Sequence, residues 1–200
     1  MLRTRIIWLL TALCLPLPLS AEPLTFELDP AATKIGLSFT ATLHSVDGLL
    51  HARSGTLQLD PEAETARGRI VLDAGSAETG NSERDKKMHE KILESRLFPE
   101  IVFDVDRISG TLHRKGRSDV LLSGTIEMHG VRRPASLPAT ILAEGDRIRA
   151  TGHLTIPYLE WGLRDPSFFV LRVAKEVQVT IDATGRLAAE GQSAQKTAMP

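Results

Sequence analysis

Six histidines, at positions 44, 51, 89, 113, 129 and 153, are the first residues to test for chemistry. Metal sites place ligands at short, fixed spacings on shared elements. No two of these histidines meet that rule. His44 and His51 are seven apart, so on one strand they face opposite ways. The chain's one cysteine is Cys14, so no thiolate set completes a site, and no metal is expected. Asp104 and Asp106 share one face of a strand, opposite Phe103 and Val105. They read as a solvent face rather than an acid–base pair. Arg84 and Asp85 are adjacent, and adjacent residues on a helix do not face each other. Asp85 suits the positive start of a helix, and Arg84 is free to reach a neighbouring loop or a bound head group. No Gly-x-Ser-x-Gly elbow and no glycine-rich phosphate cradle occurs. No catalytic residue is expected. An enzyme of the lipid hydrolase or isomerase kind would need a polar group deep in a pocket with a perturbed pKa.

The elements that must position any site are mostly strands. Ile35, Leu37, Phe39, Ala41 and Leu43 alternate with Gly36, Ser38, Thr40 and Thr42. Ile148, Ala150, Gly152, Leu154 and Ile156 repeat the pattern. A period of two lays all the apolar side chains on one strand face. Leu24, Phe26 and Leu28 alternate before Asp29-Pro30. Leu57 and Leu59 make a short strand ending at Asp60-Pro61, and residues 69–73 make another. Residues 44–51 read as a polar connection. Ile101, Phe103 and Val105, a short run at Leu112, residues 120–128, residues 135–141 and residues 177–181 complete the set. Pro138 marks an edge or a bulge in its strand. Between strands, residues 82–95 read as one amphipathic helix that starts with a Ser82–Asp85 capping pair and ends before Phe98-Pro99. The pattern is all-β with one inserted helix, either a packed sandwich or an antiparallel barrel.

The ends lie outside that pattern. Arg3 and Arg5, an apolar run over residues 6–15 and the small pair Ser20-Ala21 make a secretory signal cleaved after Ala21. The run is too short to span a membrane, which takes roughly 20 apolar residues. Cleavage leaves one domain over residues 22–187 and a small, polar tail over 188–200, expected to be disordered. It also removes the only cysteine and two arginines, leaving 22 basic against 25 acidic side chains. A net charge this mild does not steer nucleic acid. A disulfide-free exported domain fits a periplasm better than other extracellular spaces.

An ordered set of residues resembles the YceI-like family. Thr79, Asn81, Arg84 and Asp85 lead to Phe98-Pro99, Ile101 and Phe103. Gly124 precedes His129-Gly130-Val131-Arg132-Arg133-Pro134. Tyr158 and Trp161-Gly162 precede Val177, Val179 and Ile181. Phe39, His44 and Gly55 supply the early strand, histidine and glycine. The likeness covers residues 24–183. It departs from the family at residues 45–50, where an aromatic stretch is expected, and near the start, where the usual tryptophan is absent.

The resemblance implies a lipocalin-like antiparallel β-barrel in the periplasm. It implies a non-enzymatic carrier or store of a long polyisoprenoid or isoprenoid quinone, with no other cofactor. Leu37, Phe39, Leu43, Ile101, Phe103, Leu122, Ile126, Leu154 and Ile156 are then candidates to line a tunnel, or simply to pack a core. His44, just past the long strand, is a candidate for bonding a head group, or a turn residue. Trp161, Phe168 and Phe169, in the aromatic connection 157–171, are candidates for a lid or plug, or for a transient membrane contact. A carrier is expected to hold a tunnel of roughly several hundred cubic ångströms. The alternative, a ligand-free interaction or stress-response module, is expected to have a filled interior.

Overall fold

The computed structural model describes residues 24–42, 44–60, 63, 65–167 and 172–189. The leader 1–21, Leu43, Phe168 and Phe169, and the tail from residue 190 lie outside these. Among the described residues are nine antiparallel strands: β1 (Leu24–Leu28), β2 (Lys34–Thr40), β3 (Ser45–Asp60), β4 (Thr65–Glu78), β5 (Glu100–Ser109), β6 (Gly116–Met128), β7 (Val131–Glu144), β8 (Arg147–Ile156) and β9 (Val177–Ala189).

The sheet closes into a barrel, which sets aside the sandwich. Around the ring the order is β2, β9, β8, β7, β6, β5, β4, β3, and β3 pairs again with β2. β1 adds no ninth lane. It pairs with the far half of β3 and the far half of β9, where β2 has ended. β1 and β2 are therefore one lane interrupted by a 3-10 turn, Pro30–Ala32, whose N-cap is Asp29. Closure leaves the eight-lane barrel without a free outer strand, the usual hazard of an open sheet.

β3 is one strand of 16 residues, where the sequence reads a connection followed by a short strand. The reason is a bulge. Val46, Leu50 and Ala52 are buried on even positions, then Leu57 and Leu59 on odd ones. The register shifts between Ala52 and Ser54. An extra residue reverses which positions face inward, so a period-two reading sees two short runs. β5 carries a similar shift between Val105 and Arg107, which turns Ile108 inward. Leu112 lies in no strand; it sits in the β5–β6 connection and folds over the barrel end.

The helical insert is shorter and less regular than 82–95. Helix α1 covers Ser82–Lys87 and widens into a π-type turn over Met88–Ile92. Its N-cap is Asn81, not Ser82: the Asn81 side chain accepts the Arg84 amide at 3.0 Å, satisfying one of the helix's first free N–H groups. Met88 and Leu93 pack onto the main core, and Ile92 and Leu93 onto a second cluster. The insert thus closes the barrel end opposite Leu112.

Two residues hold the β6–β7 hairpin beneath it. His129 and Gly130 both have positive φ, 54° and 74°, the pattern of a two-residue hairpin turn. His129 stacks on Phe98 with ring centroids 4.3 Å apart and meets the Glu94 carboxylate at 2.8 Å. A Cβ on Gly130 would lie 3.0 Å from the Phe98 ring, so a side chain there would crowd the ring that supports the turn.

Candidate ligand cavity and side cleft

The barrel interior is greasy and nearly full. In the half nearer Leu112 it contains an apolar cavity of about 70 Å³. Phe26, Leu57, Ile108, Leu122, Ile141 and Ile181, from six different strands, are among its walls. The volume falls well short of the tunnel the carrier reading expects. Side chains from every lane pack into one apolar cluster around the cavity. Glycine also makes room between neighbours: a Cβ on Gly185 of β9 would fall 2.5 Å from the ring of Phe26 on the adjacent β1.

The other half is plugged. A 3-10 turn over Tyr158–Trp161, the end-cap turn, buries Tyr158 and Trp161 against Ile126, Met128 and Leu163. The Trp161 indole N–H donates to the Ile126 carbonyl at 3.3 Å. The Tyr158 hydroxyl is buried and finds no hydrogen-bond partner among the described residues. Burial pushes its pKa above the ordinary tyrosine range, and the Asp165 carboxylate adds to this. It therefore stays a protonated donor at neutral pH.

On the flank of this plugged half lies a second space, an open cleft of about 230 Å³. Ala135 of β7, Leu154 and Ile156 of β8, and Trp161 and Glu160 of the end-cap turn line it, with Arg133 at its rim. The cleft exists because β7 and β8 separate. Their pairing runs from Glu144↔Arg147 to Ala139↔Gly152 and stops. Residues 131–138 of β7 keep their pairing with β6, and residues 153–156 of β8 keep theirs with β9. Pro138 is thus the edge residue expected, at the point of parting.

The proline chemistry explains the gap. Backbone groups along an antiparallel strand point alternately to its two neighbours. The Pro138 carbonyl oxygen lies 2.8 Å from where a Cβ on Gly152 would sit, so even positions of β7 face β8. Pro134 and Pro138 occupy two of the next three such positions and have no N–H to give. Continuing the register would also set Pro134 against Pro157 of the facing segment. The ladder fails for want of donors on that side, while the β6 side is untouched.

The candidate residues divide among these places. Leu122 lines the cavity. Leu37, Ile101, Phe103 and Leu154 pack half-buried against the main core, and Ile101, Phe103 and Leu154 also touch the second cluster. Ile126 belongs to that second cluster. Leu154, Ile156 and Trp161 line the cleft. Phe39 is half-buried on β2 and outside both sets of walls. His44 is exposed in the β2–β3 turn, where its carbonyl accepts the Ala41 amide at 2.9 Å; it is a turn residue. Leu43 and Phe168 lie outside the described residues. Residues missed from the sequence include Phe26, Leu57, Ile108 and Leu137. The alternation of Phe26, Leu57 and Leu137 was visible, but Ile108 falls out of phase with Ile101, Phe103 and Val105 because of the β5 bulge.

The charged candidates are structural. Asp85 accepts the Thr79 amide at 3.0 Å and its hydroxyl as well. Arg84 donates to the Thr79 hydroxyl at 2.6 Å and to the Thr79 carbonyl at 2.9 Å. The pair clamps α1 to the end of β4. Asp104 faces outward between Arg69 and Arg132, at 2.8 and 3.0 Å. The Arg69 guanidinium holds its carboxyl below the usual range, with Arg132 adding to the effect. Among the described residues no cluster of three or more potential metal ligands forms. No helix among them is long and apolar enough to cross a membrane.

The YceI-like domain family matches residues 26–185. A UPF0312 protein of Shewanella sp. (strain ANA-3) is 23% identical over 158 residues, covering 74% of this chain and 81% of its own. A UPF0312 protein of Shewanella oneidensis is 24% identical over the same length, with the same coverage. Among solved structures, a polyisoprenoid binding domain from Saccharophagus degradans superposes with a TM-score of 0.63 at 17% identity, over 82% of this chain and 98% of that one. BcnA of Burkholderia cenocepacia gives 0.63 at 16% identity, over 78% and 98%. The YceI protein of Campylobacter jejuni gives 0.60 at 14%, over 72% and 86%. At these identities the structural likeness speaks for the fold.

Proposed function

The chain belongs to the YceI-like family, and from that membership we propose that it is a non-enzymatic carrier or store of a long polyisoprenoid or isoprenoid quinone. The observation that carries the reading is a closed barrel whose residual cavity is walled only by apolar surface. Such a site offers a hydrocarbon chain what water does not, about 0.8 kcal/mol for each methylene buried. It offers a charged or strongly polar substrate nothing. The polyisoprenoid-binding neighbour from Saccharophagus degradans supports the same ligand class.

The cavity alone is too small for such a chain. At about 70 Å³ it lies well below the roughly 300–1,000 Å³ of an ordinary small-molecule site. Binding therefore requires the lining side chains to part, or the plugged half to open. The small volume also favours a second reading, a filled barrel that serves as an interaction module and takes no ligand.

The place of action follows from the amino terminus: we propose export through the leader 1–21 and residence in a periplasm. We also propose that loading involves brief membrane contact at the helical end. There Leu97 is 73% exposed and Leu49, paired across from Glu78 at the strand end that leads into α1, is 47% exposed. Apolar side chains this exposed suit a lipid surface.

Native mass spectrometry of the protein purified from its own host tests the carrier reading. A bound isoprenoid is the expected result. Ala139→Phe, which pushes a ring into the cavity, should abolish recovery of the lipid while leaving a folded barrel. Preparations that come out empty and take up no quinone would establish the filled-barrel reading instead.

A further inference from the structure

We propose that the gap between β7 and β8 is the doorway through which the apolar chain crosses the barrel wall, and that the end-cap turn is its door. The proposal rests on the carrier reading and adds where the ligand enters.

Geometry sets the cleft one strand step from the cavity. Leu137 and Gly152 line the cavity, and Ala135 and Leu154 line the cleft. Ala135 is the next inward position after Leu137 on β7, as Leu154 is after Gly152 on β8. Two residues of strand span roughly 6.6 Å. The pairing of these strands ends at Ala139↔Gly152, where the Pro138 carbonyl still faces β8, so residues 135–137 and 154–156 stand apart without a ladder. Where neighbouring strands stay paired, a chain crossing between them would have to break the backbone ladder. Here the prolines have already done so.

The occupant follows from the walls. Leu154, Ile156, Ala135 and the Trp161 ring give the cleft an apolar floor, and on β7 and β8 that floor starts one inward position beyond the cavity walls Leu137 and Gly152. A flexible hydrocarbon chain fits that continuity; a folded partner does not reach inside.

The door is seated on the apolar cluster of Tyr158, Trp161, Ile126, Met128 and Leu163, and at its rim only weak polar contacts hold it. Arg133 stands at the rim, its guanidinium 5.9 Å from the centre of the Trp161 ring. Its Nε donates to the Glu160 carbonyl at 2.7 Å, and its Nη1 lies 3.4 Å from the Glu160 carboxylate. Both side chains are about half exposed, and exposed ion pairs of this kind hold weakly. Inside the same turn sits the Tyr158 hydroxyl, which has no hydrogen-bond partner among the described residues. A buried donor without an acceptor disfavours the closed position, and swinging the turn outward returns that hydroxyl to water.

The test bridges the gap from outside. Ser136 and Thr155 are exposed and would stand opposite each other if the register continued. In a chain with Cys14→Ser, the double variant Ser136→Cys, Thr155→Cys is joined by a short bismaleimide. Uptake of a long-chain ubiquinone from phosphatidylcholine vesicles is then followed. Bridging should slow uptake by about tenfold relative to the same protein blocked at each thiol separately, as expected when a gating motion is prevented. Ala135→Trp, which fills the cleft without a crosslink, should slow it likewise. Arg133→Ala should speed it, with the final amount bound unchanged. If bridged protein loads as fast as blocked protein, the doorway lies elsewhere and the carrier reading stands. If neither the blocked nor the unmodified protein takes up quinone, the carrier reading fails and the doorway with it.

Discussion

Arg133 of β7 and Glu160 of the end-cap turn face each other across the one-sided edge of β7, joined by a 2.7 Å hydrogen bond to the Glu160 carbonyl and a looser ion pair at 3.4 Å. Arg133 is paired with Ile126 on β6, so it occupies an inward-type position at the barrel end. A charge there is tolerated because it leans out over the Trp161 ring. Removing it frees the turn more than it weakens the barrel. Arg133→Met should change global stability by less than about 1 kcal/mol. It should speed amide exchange at residues 160 and 162, which hydrogen exchange resolved by residue would detect.

Restoring a donor to the edge should close part of it. Pro138→Val places an N–H on the side of β7 that faces β8, opposite His153. The amide at position 138 should become protected from exchange, and the cleft should narrow. An amide at 138 that exchanges as fast as an exposed loop would show that something other than missing donors holds the strands apart.

Tyr158→Phe removes a buried hydroxyl that lacks a partner among the described residues and keeps the ring. Deleting a polar group that is desolvated and unpaired should raise stability by about 1 kcal/mol. Urea unfolding of the two proteins measures it. A loss of stability would mean the hydroxyl is bonded in solution.

Ile108 is fully buried and lines the cavity. Ile108→Ala should cost about 2–5 kcal/mol, the usual range for deleting a buried isoleucine side chain beside existing space. Phe39→Ala, at a half-buried position away from both spaces, should cost less than Phe→Ala in a sealed core. Thermal or denaturant unfolding orders the two.

Acid sensitivity should run partly through Asp104. Its carboxyl is held below the ordinary range by Arg69 and Arg132, so the folded state keeps it ionised where the unfolded chain begins to protonate it, near pH 4. The stabilisation is complete above that pH and is lost as pH falls through the depressed folded value. Asp104→Asn should be less stable than the parent at neutral pH, and the difference should shrink as the solution is acidified. Asp73 beside Arg53 and Asp182 beside Arg149 are shifted in the same direction, so the variant should keep part of the acid response. Unfolding curves across this range test it.

The period-two alternation in residues 35–43 and 148–156 determined that strands with one greasy face would dominate, and the spaced motifs from Thr79 to Ile181 identified the family. Those signals are local, set by where each side chain points along a strand. Closure was not legible, because it depends on β3 meeting both β2 and β4 and on β1 sharing a lane with β2, pairings between residues far apart in the chain. Nor was the inward set complete: bulges at residues 52–54 and 105–107 reverse the alternation, and only the partner strand's register reveals them. Pro138 announced an edge. That this edge opens beside Trp161, one step from the cavity, was decided by the register of β7 on β8, which turns the donor-less Pro134 and Pro138 toward β8 and leaves the parted strands lined by Pro134 and Pro157.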